Sequence, residues 1–300
     1  MPEQRMVPGE VVQLDIGLRR ILAQNPSPMT AQGTNTYLLG EGTVTVIDPG
    51  PAIPAHLAAI RAALAPGERI GRILVTHTHA DHSGLAPALA GAARAPTLGF
   101  GPAEAGRSQI MTALAAAGDL GGGEGLDRAF VPDIPLRDGA VIDTPAGRIE
   151  AIHTPGHLGN HLCFAWEGHC FTGDLVMGWS SSIVSPPDGD MTDYMASLRR
   201  LAARPWHTFH AGHGQPIGDP ARRLSELIVH RETREAEILA LLALGPATVA
   251  ALTARIYGGQ PPATLEAAKR NVFAHLIDLA SRNLVRADPA TGFHALFLRL

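Results

Sequence analysis

The stretch ILVTHTHADHSG, residues 73–84, contains three histidines and one aspartate within six positions, directly behind a short apolar run. The segment RILVT (72–76) predicts a buried strand, and the residues after it predict a turn into a helix. Because side chains alternate along an extended segment, we expect His77 and His79 to point to the same side. Neutral imidazole and carboxylate are ligands that suit a zinc-type ion. The stretch therefore predicts half of a metal site rather than a polar turn.

The remaining ligands are expected from the ends of later strands. Asp81 and His82 follow where the chain enters the predicted helix, from where they can point to a second ion. His157 in HTPGH, Asp174 in FTGD and His213 in AGHG each follow an apolar strand and lie beside glycine, where the backbone can turn sharply. We predict two divalent ions, one bound by His77, His79 and His157 and the other by Asp81, His82 and His213, with Asp174 bridging both.

Composition limits the class of protein. Of the 300 residues, 45% are hydrophobic and 17% are charged, which is typical of a globular chain with a sizeable core. The formal net charge of -4 argues against non-specific binding of nucleic acid by the whole surface.

A hairpin turning at Glu167–Gly168 does not place Cys163 opposite Cys170, so we expect two buried free thiols. Without an uncharged apolar stretch of about 18 residues or a secretory h-region, we expect no membrane span and a cytoplasmic location.

The order of predicted elements indicates an α+β fold. Strands and helices alternate between residues 10 and 117, and strands dominate between residues 139 and 172. A helix follows near 192–203, with Thr192 as its expected N-cap, and the segment HTFHAGHG then predicts another strand. This order is typical of two sheets packed face to face with helices outside.

The C-terminal part of the chain has a different character. After GQPIGDP the pattern predicts three helices and a terminal hairpin, which together indicate a winged-helix-like module. We therefore predict a catalytic domain over 1–218 and a winged-helix-like domain over 219–300. Within the first helix, the charged stretch at 222–238 predicts a solvated face with i,i+4 pairs, and a strip that contacts RNA is the alternative. The three helices are expected at 221–243, 247–257 and 262–282.

The histidine and aspartate pattern resembles that of the metallo-β-lactamase-fold hydrolases over roughly residues 10–218. The resemblance implies a four-layer αββα sandwich and a dinuclear hydrolase that uses a metal-bridging hydroxide, with Asp81 and Asp174 as catalytic residues. Zn²⁺ is the first choice of ion, and Mn²⁺ or Fe²⁺ are alternatives because His and Asp ligands accommodate all three. The commonest zinc β-lactamases have a cysteine where this chain has Asp174, which argues against antibiotic hydrolysis.

A narrower resemblance concerns the substrate. NPSPMTAQGTNTYLLG (25–40), HTPGHLGNHL (153–162) and the C-terminal module resemble the beta-lactamase-like protein 2 group, which is associated with cleavage of single-stranded RNA. Fungal thioesterases that release polyketides from carrier proteins share much of the same N-terminal stretch. Phosphodiester cleavage in single-stranded RNA is thus the main hypothesis, and hydrolysis of a thioester or lactone in a small acyl substrate is the alternative. A non-enzymatic nucleic-acid-binding protein is a weaker alternative, because it would not need seven intact ligands.

Several residues are candidates for substrate contacts. The resemblance favours Thr34 and Asn35 at the pocket mouth, although a structural turn is equally compatible with them. Trp179 could stack on a base, cover an acyl chain or simply pack. Candidates for the general acid are Ser180–Ser182, Tyr194 and His161.

A nuclease should have a basic open groove, and a thioesterase an apolar enclosed cavity. Oligomeric state is not fixed by the sequence, and the exposed helical module is compatible with a homodimer.

Overall fold

The computed structural model describes residues 5–118, 123 and 125–300 of the chain. Its first sheet has seven strands in sequence order, antiparallel at the start and parallel from the fourth strand onward. Helices cross between the parallel strands, as a parallel connection requires. The strands are β1 Val11–Asp15, β2 Leu18–Leu22, β3 Asn35–Leu39, β4 Thr43–Ile47, β5 Arg69–Leu74, β6 Thr97–Gly99 and β7 Ile134–Pro135. The helices of this part are α1 Pro54–Ala62, α2 Ala80–Ser83, α3 Ala86–Ala93 and α4 Gln109–Ala117.

The second sheet has five described strands, and one helix of this part covers its outer face. These strands follow one another across the sheet in the same order as along the chain, with a parallel pair at one edge. The elements are β8 Val141–Thr144, β9 Gly147–His153, β10 Leu162–Trp166, β11 His169–Gly173, α5 Met191–Ala202 and β12 Thr208–Ala211.

The core confirms the predicted αββα layers. Every residue of β3 and β10 is buried, because both strands lie inside their sheets with covered faces. Leu39 and Phe164 belong to the cluster between the two sheets. Val46 packs with α1 and α3 on one outer side, and Tyr194 of α5 packs on the other.

The C-terminal segment forms the predicted three helices and hairpin. Its core is built from both helices and strands, with Leu252, Phe273 and Phe297 fully buried. The first helix also packs on α5 through Leu224 and Leu227, so it is shared with the preceding part of the chain. The domain boundary after residue 218 is therefore still a proposal. The elements are α6 Pro220–Leu242, β13 Ala247–Thr248, α7 Val249–Tyr257, α8 Pro262–Ser281, β14 Val285–Asp288 and β15 Leu296–Arg299.

Local predictions had mixed outcomes. Ala165 pairs with Cys170, and Cys163 and Cys170 are buried and free, as expected. The prediction that Thr192 caps α5 was wrong, because the Asp190 carboxylate accepts the hydrogen bond from the Thr192 amide. A carboxylate at this position also interacts favourably with the helix dipole. Within the described residues, none of the helices has the length and apolar character needed to cross a membrane.

Candidate metal centre

The candidate ligands meet where strands of both sheets end. The parallel strands β4 and β5 end at Ile47 and Leu74, just before Asp48 and the histidine stretch. In the second sheet, the parallel strands β11 and β12 end just before Asp174 and His213. Because parallel strands end at one edge, ligands distant in sequence are brought together there.

Three imidazoles converge in what we call the first group, formed by His77, His79, His157 and Asp174. The Nδ1 atom of His79 lies 3.0 Å from Nε2 of His77 and 3.0 Å from Nε2 of His157. In a tetrahedral zinc site with Zn–N bonds of about 2.0–2.1 Å, two ligand nitrogens lie about 3.3 Å apart. The spacing of the three nitrogens therefore fits a common metal ion.

The second group contains Asp81, His82 and His213. The Oδ2 atom of Asp81 lies 3.6 Å from Nε2 of His82 and 3.4 Å from Nε2 of His213. Asp174 lies between the groups, with Oδ2 at 3.8 Å from Nε2 of His157 and 3.3 Å from Nε2 of His213. This carboxylate occupies the position expected of a bridging ligand.

Two ligand atoms are buried without a hydrogen-bond partner, namely Nε2 of His82 and Oδ1 of Asp174. They lie 3.4 Å apart. Buried polar atoms are normally satisfied, and leaving one unsatisfied costs about 1–3 kcal/mol. A divalent cation would satisfy both atoms, so the residues present fit the predicted metal.

The histidines of the first group are in the form that binds metal. Burial lowers the pKa of His77 well below its usual range and lowers the pKa of His79 to about 3. For Asp174, burial raises the pKa, but the nearby His213 and His82 outweigh it and hold the pKa well below its usual range. Neutral imidazoles and an ionised carboxylate are available at neutral pH without deprotonation.

The histidines of the second group have pKa values that are shifted in the opposite direction. Burial lowers the pKa of His82, but the carboxylates of Asp81, Asp174 and Asp48 outweigh it and raise this pKa well above the usual value. Burial also lowers the pKa of His213, but Asp174 outweighs this effect, so that the pKa of His213 is raised as well. A metal ion that binds here therefore competes with protons for these imidazoles.

Asp48 was not predicted, although it lies at the base of the centre. Its Oδ2 atom contacts Nδ1 of His82 at 2.9 Å and accepts a hydrogen bond from the Thr76 hydroxyl at 2.8 Å. Its Oδ1 atom accepts from the Thr76 amide at 2.8 Å, and the Thr76 hydroxyl lies 2.9 Å from Nδ1 of His77. Such partners fix the ring orientation of metal-binding histidines. An acidic residue at the end of the strand beside the histidine stretch could have been noticed in the sequence.

Thr34 and Asn35 lie at the second group but do not line the cavity. Thr34 is buried, and its hydroxyl donates to Oδ2 of Asp81 at 3.0 Å. The buried amide of Asn35 donates to the backbone oxygens of Ala211 and Gly214, on either side of His213. Both side chains therefore position ligands, and the structure does not support the predicted contact with substrate.

The other substrate candidates also lie outside the cavity. Tyr194 is fully buried, and its hydroxyl donates to the Leu175 oxygen. Trp179 is 38% exposed, and the Ser180 hydroxyl bonds to the Ser181 oxygen, with neither residue at the cavity wall. Met29 and Thr30, which precede the predicted pair, line the cavity instead.

A cavity of about 650 Å³ opens above the ligands. Its floor contains five of the seven ligand residues, while His77 and His82 are buried beneath. Among the described residues of its wall, Arg270 is the only arginine or lysine, and the same wall contains Asp188 and Glu266. The cavity is therefore not a basic groove. Its apolar wall residues are Met29, Leu158, Met177, Ile183 and Ala267.

Comparison with known proteins gives the family. Residues 29–213 match the model of the metallo-beta-lactamase superfamily, and residues 248–292 match that of the beta-lactamase associated winged helix domain. A metallo-beta-lactamase family protein from Thermus thermophilus has a similar structure, with a TM-score of 0.76 and 26% identity. The match covers 96% of this chain and 100% of the other. The predicted fold and winged-helix module are thereby confirmed.

Two curated fungal relatives are also similar. The lactamase-like protein nscB of Neosartorya fischeri is 35% identical over 74% of this chain and 61% of its own length. The atrochrysone carboxyl ACP thioesterase dmxR1 of Cryptosporiopsis is 30% identical over 78% of this chain and 65% of its own length. The chain spans less than two thirds of either relative, and the narrower resemblance to the beta-lactamase-like protein 2 group stays a prediction. From the matched family model and the convergent ligands, the chain belongs to the metallo-β-lactamase superfamily.

Proposed function

We propose that the protein is a metal-dependent hydrolase of acyl thioesters. The observation that carries this proposal is the position of the ligand set at the floor of a cavity with a largely apolar wall. A wall of this kind accommodates an acyl chain, and convergent polar groups at one end orient the reacting bond. A relative named as an acyl carrier protein thioesterase supports the same substrate class.

The seven ligand residues would hold two divalent ions, with Zn²⁺ as the first candidate and Mn²⁺ or Fe²⁺ as alternatives. When bound, the ions would lower the pKa of water and polarise the carbonyl oxygen of the substrate. His77, His79 and His157 would hold one ion, Asp81, His82 and His213 the other, and Asp174 would contact both.

Asp81 is suited to handle a proton at the floor of the cavity. Its side chain is 27% exposed, and the Thr34 hydroxyl fixes Oδ2 from below. Burial raises the pKa of Asp81, but His82 and His213 outweigh this effect and hold it below its usual value. The carboxylate is therefore ionised at neutral pH and can orient the attacking water through its oxygen.

The leaving group also favours a thioester. A thiol has a pKa of about 8.5, so the departing thiolate needs little help from an acid. A ribose alkoxide needs a proton, yet the hydroxyl of Tyr194 is buried away from the cavity and Ser180 is not at its wall. His161 is fully buried beside His77, so it is also not exposed to a leaving group.

Cleavage of single-stranded RNA is the second candidate. It rests on the narrower sequence resemblance and on the winged-helix module. A phosphodiester backbone is normally bound by a basic groove with aromatic stacking residues. The described wall of this cavity has three acidic residues besides Asp174, namely Asp81, Asp188 and Glu266, against one arginine. We therefore favour the acyl substrate.

The test is to incubate the metal-loaded protein with a panel of acyl thioesters and lactones and, in parallel, with labelled single-stranded RNA. Asp81→Asn and Asp174→Asn serve as controls for contaminating activities. We expect thioester turnover that both substitutions abolish, with the RNA left intact. RNA cleavage that depends on both aspartates, with every thioester untouched, would overturn the proposal in favour of a ribonuclease.

A further inference from the structure

A short backbone segment, residues 182–184, fixes the orientation of one ligand of the first group. We call this segment the strap. The ring of His157 has Nδ1 at 2.8 Å from the Ile183 oxygen and at 3.1 Å from the Ser182 hydroxyl. Because Nε2 of this ring faces His79 and Asp174, the Nδ1–H group is the one that donates to the strap. The direction of the ligand nitrogen therefore depends on where the strap lies.

The strap is in turn held by helices α6 and α8. Asn271 of α8 accepts a hydrogen bond at Oδ1 from the Val184 amide at 3.1 Å. Arg231 of α6 donates through Nη2 to the Ser182 oxygen and through Nη1 to Oδ1 of Asn271 at 3.1 Å. These two side chains thus bind the backbone on either side of Ile183.

Arg231 is a charged residue in a buried position beside the strap. It is only 2% exposed, and its guanidinium lies 5.1 Å from the ring centre of Tyr194. Burial of a charged side chain costs several kcal/mol unless it is well bonded, and an apolar side chain would pack at lower cost. Its Nε atom is buried without a partner, and the two hydrogen bonds that the guanidinium makes are directed to the strap and to Asn271, so we relate its burial to what these two bonds hold.

We propose that Arg231 and Asn271 are positioning residues for the metal centre, through which the C-terminal segment sets the orientation of His157. The inference rests on the proposed metal binding and is independent of the substrate. It assigns the winged-helix part of the chain a role in retaining the ion of the first group. The second group is supported from residues 33–48 instead, so its affinity should not depend on Arg231, Asn271 or the strap.

The test compares Asn271→Leu with Asn271→Asp. Leucine has a similar size but no acceptor, whereas aspartate keeps an oxygen for the Val184 amide and for Arg231. Metal affinity is measured by titrating the metal-free protein with Co²⁺ and following its absorption spectrum, with bound metal counted by elemental analysis. Loss of a direct partner lowers metal affinity about 10–100-fold, so we expect about tenfold weaker binding at one of two sites in Asn271→Leu. Asn271→Asp should retain the parent affinity and spectrum.

Further variants distinguish positioning from a general loss of stability. Arg231→Lys keeps the charge but cannot reach both acceptors, and it should weaken the same site less strongly while the chain stays folded. Arg199→Ala removes an exposed ion pair with Glu232 between α5 and α6 and should bind both ions normally. Folded Asn271→Leu and Arg231→Lys proteins with unchanged affinity at both sites would overturn the inference. Equal losses in Arg199→Ala would also overturn it. A parent protein that binds no ion would refute the proposed function itself.

Discussion

The two ligand groups share Asp174 and, through Asp48, part of their support, but His157 of the first group is held by a different part of the chain. In the second group, Asp81 is held by Thr34, and His82 by Asp48. The loop of His213 is held by Asn35, and all these supports come from residues 34–48. In the first group, His157 is held by the strap and, behind it, by helices far along the sequence. The first group can therefore be disturbed through His157 without a change at the supports of the second group.

The largest effect is expected at Asp174, because both ligand groups share this residue. In Asp174→Asn both groups lose a charged ligand, so we expect loss of both ions and about a 1000-fold fall in activity, or about 4 kcal/mol. Elemental analysis and kcat/KM measure these effects. Asp81→Asn is the matched variant, and it should release the ion of the second group alone. Two ions retained in Asp174→Asn would contradict the bridging position.

Asp48→Asn tests the support of His82 in the second group and, through Thr76, of His77 in the first group. The amide nitrogen cannot accept the bonds now made to Oδ2, so the Thr76 hydroxyl and Nδ1 of His82 lose their acceptor. We expect about 10–100-fold weaker metal binding and a free energy of unfolding lower by about 2 kcal/mol. Asp133→Asn is the control, because Asp133 accepts from the amide and hydroxyl of Thr97 in the same way but touches no ligand. Equal metal affinity in both variants would show that Asp48 has only a structural role.

Thr34→Val should have a smaller effect, at the second group. Valine has the shape of threonine but cannot donate to Oδ2 of Asp81, which then loses a bond worth about 1 kcal/mol. We expect kcat/KM to fall about fivefold, with the ions still bound. Steady-state kinetics and elemental analysis on one preparation separate these two results. An unchanged kcat/KM would mean that Asp81 needs no orientation by Thr34.

A last effect, on stability rather than on metal binding or activity, concerns pH and the loop behind His82. His56 packs against Gly50, whose amide donates to the His82 oxygen, and burial lowers the pKa of His56 to about 4. The unfolded chain therefore binds more protons between the usual value of 6.5 and about 4, and stability falls as the pH is lowered through this range. We expect a loss of about 2 kcal/mol from this group between about pH 7.5 and about pH 5. Urea unfolding at both pH values should show a smaller loss in His56→Gln.

The sequence predicts ligands better than it predicts their supports. The candidate ligands are histidines and aspartates that come after predicted strands. This pattern can be read from the local sequence, both at His77 and at His213. Asp48 follows the same rule, directly after β4, but it lies far from the histidines in sequence, and only the pairing of β4 with β5 shows which residues it supports.

Other errors have a tertiary cause. The stretch 222–238 was expected to be a solvated face, and its Arg222–Glu226 pair is indeed exposed. Arg231 in the same stretch is buried, because α5, α6 and α8 pack around it. No local signal distinguishes this arginine from its neighbours. Tyr194 was likewise expected at the substrate, but its helix turns it into the core.

One helix has consequences for how the enzyme could change during evolution. Within α8, Ala267 lies at the cavity wall and Asn271, one turn later, holds the strap, while the Asn271 amide donates to the Ala267 oxygen. A substitution that reshapes the wall for a different substrate therefore acts on the same turn that keeps His157 in place. Substitutions in this helix that change the substrate preference would therefore also lower the metal affinity. Substitutions at Met29, which lies on a surface loop, would leave the metal affinity unchanged.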